Sequence, residues 1–355
     1  MFFETIQEAE VFASRHNVPL VDVLMMGLNL MGTSGFDTTI TSRGRFRLVP
    51  AIHNWPYFFA LTIDPESPFH HDGQQVWLSG ELIGQASSIH PDTCSETYIR
   101  NGGRAMTLNS NSRSSCRGCK FCGTFSLIPE EFSNLLLEDN LRRAAEGFLR
   151  DGLVKSYSEM ESIGLVTGCF RTDEDCLQHL LLIQKVFGEF GFAGEIRYIG
   201  SQIRTPAAVD RLADAGKFSL YQTVECFERR DQLMKRRKSG VSLQQHINIL
   251  GYAKAKGLNT SMLYILGLDG LPAIDTHFRE LLPVLTRHPL VNLMQVYQPH
   301  QVALRHPDAS NLDYYLNARQ IVERIFSPTL RPLGYDNYRS PWYSMYGDQK
   351  INNPI

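Results

Sequence analysis

The sequence has little net charge, no long apolar run and no set of cysteines that pairs off. A formal charge of −2 over 355 residues offers no basic field for nucleic acid and no acidic tail of the kind that stays disordered. The most apolar early segment, residues 18–31, is broken by Pro19, Asp22 and Asn29, and is too short and too polar to span a bilayer. The N-terminus lacks the basic region and apolar core of a signal peptide. Seven cysteines is an odd number, and three of them fall within seven residues. That fits reduced cytoplasmic thiols and a metal site better than a disulfide framework. With 43% apolar and 20% charged residues, the expectation is an ordinary globular protein of the cytoplasm, with no nucleic acid and no membrane as partner.

What is present begins with Cys116-Arg117-Gly118-Cys119-Lys120-Phe121-Cys122. Thiolate is the ligand that soft metals and iron–sulfur clusters select. A ferredoxin-type run would continue to a fourth cysteine; here Gly123-Thr124-Phe125-Ser126-Leu127-Ile128-Pro129 follows. A four-iron cluster held by Cys116, Cys119 and Cys122 would leave one iron with no protein ligand, open to a small molecule. Two other readings of three thiolates stay open. One is a zinc site completed by a histidine; the other is an electron-transfer centre whose fourth ligand lies elsewhere.

Residues 1–100 show no regular alternation. Helices are expected over 3–15 and 20–30, followed by an accessory region of short elements and long loops, rich in proline and aromatic residues. His53, His70, His71 and His90 are not spaced as a ligand set. From about residue 104 the pattern changes. Apolar runs at 105–108, 163–167, 195–199, 218–224, 259–266 and 291–297 read as strands. Segments at 130–149, 173–190, 205–215, 241–256, 273–286 and 312–325 read as helices, with Thr172 or Asp173, Pro206 and Ser242 near their starts and Gly216 and Gly257 at ends. Six such units predict parallel strands with right-handed crossovers, too few to close an eight-unit barrel. The fold class expected is α/β: a partial (β/α)6 TIM-type barrel, or an open sheet, over residues 101–326, with a tail at 327–355 that covers the site. In both arrangements ligands bind at the carboxyl ends of the strands, where the cysteine loop falls.

On these residues the chain resembles the radical S-adenosylmethionine superfamily, in the branch of lipoyl synthase and biotin synthase, over residues 100–345. The resemblance implies a 4Fe-4S cluster on the three cysteines and S-adenosylmethionine chelated to the open iron. It implies Phe121 beside the adenine and Thr167 and Gly168, in Leu165-Val166-Thr167-Gly168, near the methionyl amine. In Tyr221-Gln222-Thr223-Val224-Glu225 it implies Thr223 and Glu225 at the ribose. Arg237, within Arg236-Arg237-Lys238, would meet the methionyl carboxylate. Gly267 belongs to the fifth-strand motif Tyr264-Ile265-Leu266-Gly267-Leu268-Asp269-Gly270, and Tyr297 to a sixth strand whose backbone reads adenine. The chemistry implied is one-electron cleavage of the sulfonium, the electron coming from a donor such as flavodoxin or ferredoxin. It yields methionine and a 5′-deoxyadenosyl radical that takes hydrogen from a small-molecule substrate.

The chain departs from that pattern in three places. Two residues, not three, separate the first two cysteines, so Ser115 stands where the first would be. Only Cys94 lies where lipoyl synthases carry a second three-cysteine set. Cys169, Cys176 and Cys226 do not match the second-cluster ligands of biotin synthase. A biosynthetic C–H activation is therefore the leading expectation, and sulfur insertion the competing one. Cys169 reads either as a buried thiol or as a second-cluster ligand or radical partner; Cys176 and Cys226 read as small buried hydrophobes. The tail Tyr338-Arg339-Ser340-Pro341-Trp342-Tyr343 resembles the Arg-Ser-Ser-Tyr ending of lipoyl synthases. Its aromatic residues, Tyr335 and Tyr346 included, either close the mouth of the barrel or pack as core.

Overall fold

Thr5 opens the first helix, α1 (Ile6–His16): its side chain accepts from the Glu8 amide while the Glu8 carboxylate accepts from the Thr5 amide. Asn17 in the left-handed conformation ends it, and Pro19 precedes α2 (Leu20–Met31), whose residues 21–30 are all buried. The computed structural model describes residues 2–35, 43–92, 97–110, 116, 118–123, 135–327, 329–332 and 337–351. Arg117, Ser115, Cys94 and Tyr335 lie outside them.

Residues 43–91 are more regular than their composition suggests. Strands β1 (Arg43–Pro50), β2 (Tyr57–Thr62), β3 (Phe69–His71), β4 (Gln75–Leu78) and β5 (Glu81–Pro91) form an antiparallel sheet in the order β2-β1-β5-β4-β3. The prolines that suggested loops sit at strand borders: Pro50 and Pro91 end strands, and Pro56 and Pro68 immediately precede them. There a missing amide costs little of the ladder. Within β1, Phe46 and Leu48 are buried while Arg47 and Val49 are exposed, the alternation of a strand with one covered face.

The second sheet has seven strands. β6 (Tyr98–Arg100) is an antiparallel edge to β7 (Ala105–Leu108). Then β8 (Ser162–Val166), β9 (Glu195–Gly200), β10 (Phe218–Glu225), β11 (Asn259–Leu266) and β12 (Leu290–Leu293) follow in chain order, each parallel to the last. The crossovers carry α3 (Glu138–Arg150), α4 (Asp173–Glu189), α5 (Pro206–Ala215), two single-turn helices α6 (Arg230–Leu233) and α7 (Arg236–Ser239), α8 (Leu243–Ala255) and α9 (Leu271–Leu281); α10 (Leu312–Phe326) comes after β12. Thr172, Thr205 and Ser242 cap α4, α5 and α8 through their side chains. The architecture is α/β, with the strand–helix alternation that the apolar pattern predicts. β12 stops at Leu293, four residues short of Tyr297.

One apolar core runs through both sheets and the tail, including Phe3, Phe59, Ile163, Leu266, Trp342 and Tyr343. α2 lies against β2 and β12. Buried Arg319 of α10 pairs with buried Asp22 of α2 and donates to the carbonyls of Pro341 and Met345 at 3.0 and 2.7 Å. Asp22 also accepts from the Ser344 amide at 2.7 Å. Among the described residues no helix is long and apolar enough to cross a membrane.

Candidate active site

The carboxyl ends of β8 to β12 and the loop after β7 surround one cavity. Its lining brings together Cys116, Phe121, Cys122, Thr167, Gly168, Thr223, Glu225 and Tyr297. Cys119 sits behind that wall, buried in a small apolar cluster with Phe121, Cys226, Leu233, Met234 and Met294. Gly267 and Arg237 are not on the lining. Gly267 has φ 118°, and a Cβ there would lie 3.1 Å from the Tyr315 hydroxyl, so it serves the turn out of β11. Arg237 donates to the Phe170 and Arg171 carbonyls at 2.6 and 2.8 Å and to Asp173 at 2.8 Å, bracing the loop after β8.

Backbone contacts hold the cysteine loop in place. Gly118 has φ 110°, a conformation natural to glycine. The Lys120 amide donates to the Leu233 carbonyl at 2.9 Å. Gln301, fully buried, donates to the Lys120 carbonyl at 2.8 Å and accepts from the Tyr297 and Gln298 amides at 2.7 and 3.1 Å. Gly123 passes so close to Tyr297 that a Cβ would lie 2.9 Å from its ring.

The thiols are unequal. Cys169, from the loop after β8, donates to Cys116, and Lys235 Nζ stands 2.9 Å from Cys116 Sγ. That thiol contact, aided by the lysine, pulls Cys116 well below the ordinary thiol range against its burial. The same contact, with burial, pushes Cys169 up. Burial pushes Cys119 up to about 11. Among the described residues no three His, Cys, Asp or Glu side chains gather closely enough to hold a single metal ion.

Glu225 ends β10 where the register against β11 shifts, and its φ is 67°. For a residue with a Cβ this conformation costs about 1–2 kcal/mol. Arg230 holds the turn, donating to the carbonyls of Val224 and Cys226 at 2.6 and 2.8 Å and of Lys238 and Val241 at 3.1 and 3.0 Å. Asp269 of the fifth-strand motif accepts from the Phe227 and Glu228 amides at 2.8 and 3.0 Å. The turned-out carboxylate meets Lys238 Nζ through Oε1 at 2.8 Å. Its Oε2, like Thr223 Oγ1, is buried with no hydrogen-bond partner in the protein.

The remaining wall comes from segments distant in sequence: Arg43 of β1, and Tyr338 and Arg339 of the tail. Arg43 pairs with Asp92, donates to the Tyr338 hydroxyl at 2.8 Å and lies over the Tyr297 ring at 5.1 Å. Arg339 donates to the Tyr297 hydroxyl at 3.2 Å. By contrast Trp342, Tyr343 and Tyr346 are core. Sequence reasoning passed over Arg43, Arg230, Lys235 and Gln301; no local pattern marks them, and folding alone brings them to the site.

No protein-family model matches the chain, and no curated protein matches it. The chain is similar to two crystal structures of Streptococcus suis SuiB. One aligns at 14% identity and a TM-score of 0.37, over 56% of this chain and 41% of that chain. The other, bound to S-adenosylmethionine, aligns at 15% and 0.38, over 56% and 42%. The aligned region spans less than half of SuiB's length, and the chemistry of the site rests on its own residues.

Proposed function

We propose that the chain is a radical S-adenosylmethionine enzyme built on a partial (β/α)6 barrel, acting on a small organic substrate in a biosynthetic step. One observation carries this reading. Two buried polar atoms without a protein partner, Thr223 Oγ1 and Glu225 Oε2, belong to residues lining the same cavity as Cys116 and Cys122. Buried polar atoms are rarely left unmet, and a ribose would bring two hydroxyls to them. The cysteine set fits a cluster with one open iron. When bound, the cluster supplies the electron that splits the sulfonium C–S bond, giving methionine and the radical that abstracts hydrogen.

The chain's own residues hold and orient. Cys116, Cys119 and Cys122 would bind three irons. Glu225, anchored by Lys238, would accept from the ribose. Phe121 and Tyr297 would flank the adenine, and Thr167 and Gly168 would present backbone to the methionyl group. The tail's Tyr338 and Arg339 would help exclude water from the substrate end. An external one-electron donor such as flavodoxin or ferredoxin, in the cytoplasm, completes the set.

The test is an anaerobic one. Reconstituted protein given strong reductant and S-adenosylmethionine is expected to release 5′-deoxyadenosine, while Cys116→Ala, Cys119→Ala and Cys122→Ala are not. Wild type that carries four irons yet never cleaves S-adenosylmethionine would end this reading.

A further inference from the structure

We propose that the substrate carries a carboxylate, and that Arg339 and the Tyr338 hydroxyl receive it at the end of the cavity walled by the tail. That a substrate enters here rests on the function proposed above; the anion site itself rests on the geometry. Among the described residues, the charged side chains lining the cavity are the cations Arg43, Lys238 and Arg339 and one carboxylate, Glu225. Glu225 lies against Lys238 and Arg43 against buried Asp92. Arg339 stands between two rings, donating to the Tyr297 hydroxyl at 3.2 Å and lying over the Tyr338 ring at 5.6 Å. A guanidinium is the side chain whose planar fork matches a carboxylate. Beside it, the Tyr338 hydroxyl accepts from Arg43 at 2.8 Å. Arginine has no acceptor to offer in return, so the hydroxyl hydrogen must be donated elsewhere, and a hydroxyl that accepts from a cation is the stronger donor for it.

The two residues are pinned through their backbones. The Leu293 amide at the end of β12 donates to the Arg339 carbonyl at 2.6 Å, and the Arg339 amide donates to the Asn337 side chain at 3.0 Å. The Tyr338 carbonyl accepts from the side chain of Asn29 in α2 at 3.0 Å and from the Tyr343 hydroxyl at 2.8 Å. Buried Gln295 closes the set, donating to Asn29 at 2.9 Å and accepting from the Tyr297 hydroxyl at 3.3 Å. With the chain fixed from behind, both side chains already stand on the cavity wall, and little ordering is left for a ligand to bring about.

This anion is not the methionyl carboxylate. Thr167 and Gly168, proposed to receive the methionyl group, follow β8, whereas Arg339 is tied to β12, and β9, β10 and β11 lie between those two strands in the sheet. A carboxylate also suits the donors better than a phosphate does. Phosphates are commonly cradled by the backbone amides of a helix N-terminus, and residues 337–344 of the tail form no helix; one guanidinium and one hydroxyl can between them meet the two oxygens of a carboxylate.

The experiment uses the full chain, reconstituted anaerobically and supplied with S-adenosylmethionine, in equilibrium dialysis read by mass spectrometry. The probes are a panel of small aliphatic, amino and aromatic carboxylic acids, the matched primary amides, and small phosphate monoesters. Wild type is expected to retain at least one acid about tenfold or more better than its amide, the loss expected when a hydrogen bond to a charged group is removed. Arg339→Gln should bind that acid about tenfold or more weakly, Arg339→Lys should recover part of the difference, and Tyr338→Phe should cost about threefold to tenfold. The acid-to-amide ratio in wild type needs no variant, so a variant that fails to fold does not spare the proposal. No acid retained better than its amide, equal retention by Arg339→Gln, or retention of phosphates in place of acids would overturn it. Selective retention of an acid by a chain that assembles no four-iron cluster, or that never releases 5′-deoxyadenosine, would instead overturn the functional reading and leave the anion site standing.

Discussion

Lys238 Nζ lies 2.8 Å from Glu225 Oε1, and both side chains are largely withdrawn from water, 13% and 11% exposed. The pair fixes a carboxylate that the backbone has turned out of its strand at positive φ, leaving one oxygen for a ligand. Replacing Glu225 by Gln keeps the shape and removes the charge. Hydrogen bonds to charged groups are worth about 1.5–3 kcal/mol, so S-adenosylmethionine should bind about tenfold or more weakly, read by equilibrium titration of the reconstituted protein. Unchanged affinity would remove Glu225 from the proposed ribose site. Lys238→Met strands the carboxylate and should also lower stability in a denaturant titration, toward the lower end of the roughly 3–5 kcal/mol lost when one partner of a buried pair is removed.

On the proposed function, Lys235 should tune the cluster. Its ammonium stands 2.9 Å from Cys116 Sγ and stabilises negative charge, which grows on reduction. Lys235→Met should therefore lower the cluster's midpoint potential, by on the order of 65–130 mV, taking about 1.5–3 kcal/mol for a charged hydrogen bond and 59 mV per tenfold for one electron. A potentiometric titration that finds no downward shift would dismiss the contact as incidental.

The second buried pair is structural. Arg319 joins α10 to α2 through Asp22 and to the tail through the Pro341 and Met345 carbonyls. Arg319→Met should destabilise the chain by about 3–5 kcal/mol, because Asp22 is left buried without its cation. Asp22→Asn should cost less, since it keeps an acceptor for Ser344. The two denaturation midpoints, compared, decide this.

Stability should fall as the solution turns mildly acidic. Burial lowers the pKa of His288 to about 3 and His179 to about 4, and burial with nearby Arg230 lowers His246 to about 3, all from 6.5. Each is neutral in the folded chain and binds a proton more readily when unfolded. Their contribution is thus complete above pH 6.5 and is lost as pH drops toward the folded values. A melting temperature that declines from pH 6.5 to about 5, above the main carboxylate range, is the expected result; a flat profile there would contradict it.

Iron content separates C–H activation from sulfur insertion. A single cluster gives about four irons per chain; a second, sacrificial one would raise this to about eight. The expected figure is about four, by iron and sulfide analysis after anaerobic reconstitution.

The parallel sheet was legible because its signals are local. Thr172, Pro206 and Ser242 mark helix starts by satisfying or lacking an amide, and the strands are short apolar runs between them. The N-terminal sheet was not legible, because proline reads as a breaker unless its place at a strand border is known. At the site, the cysteine loop and the Thr223–Glu225 segment could be picked out from their residues. The cation could not: Arg237 and Lys238 are neighbours on a single turn of helix, pointing about 100° apart, and only packing puts Lys238 on Glu225 and Arg237 on the Phe170 loop. Tyr297 reaches the cavity from beyond the end of β12, so its place depends on Gln301 rather than on strand pairing.

Arg43 carries a consequence for anyone dissecting this chain. Its strand belongs to the first hundred residues, yet its guanidinium forms part of the cavity wall and stacks on Tyr297. The opening sheet and the closing tail are thus panels of the same vessel. A fragment trimmed to the strand–helix core would be a cup with one side cut away, its cavity open to water.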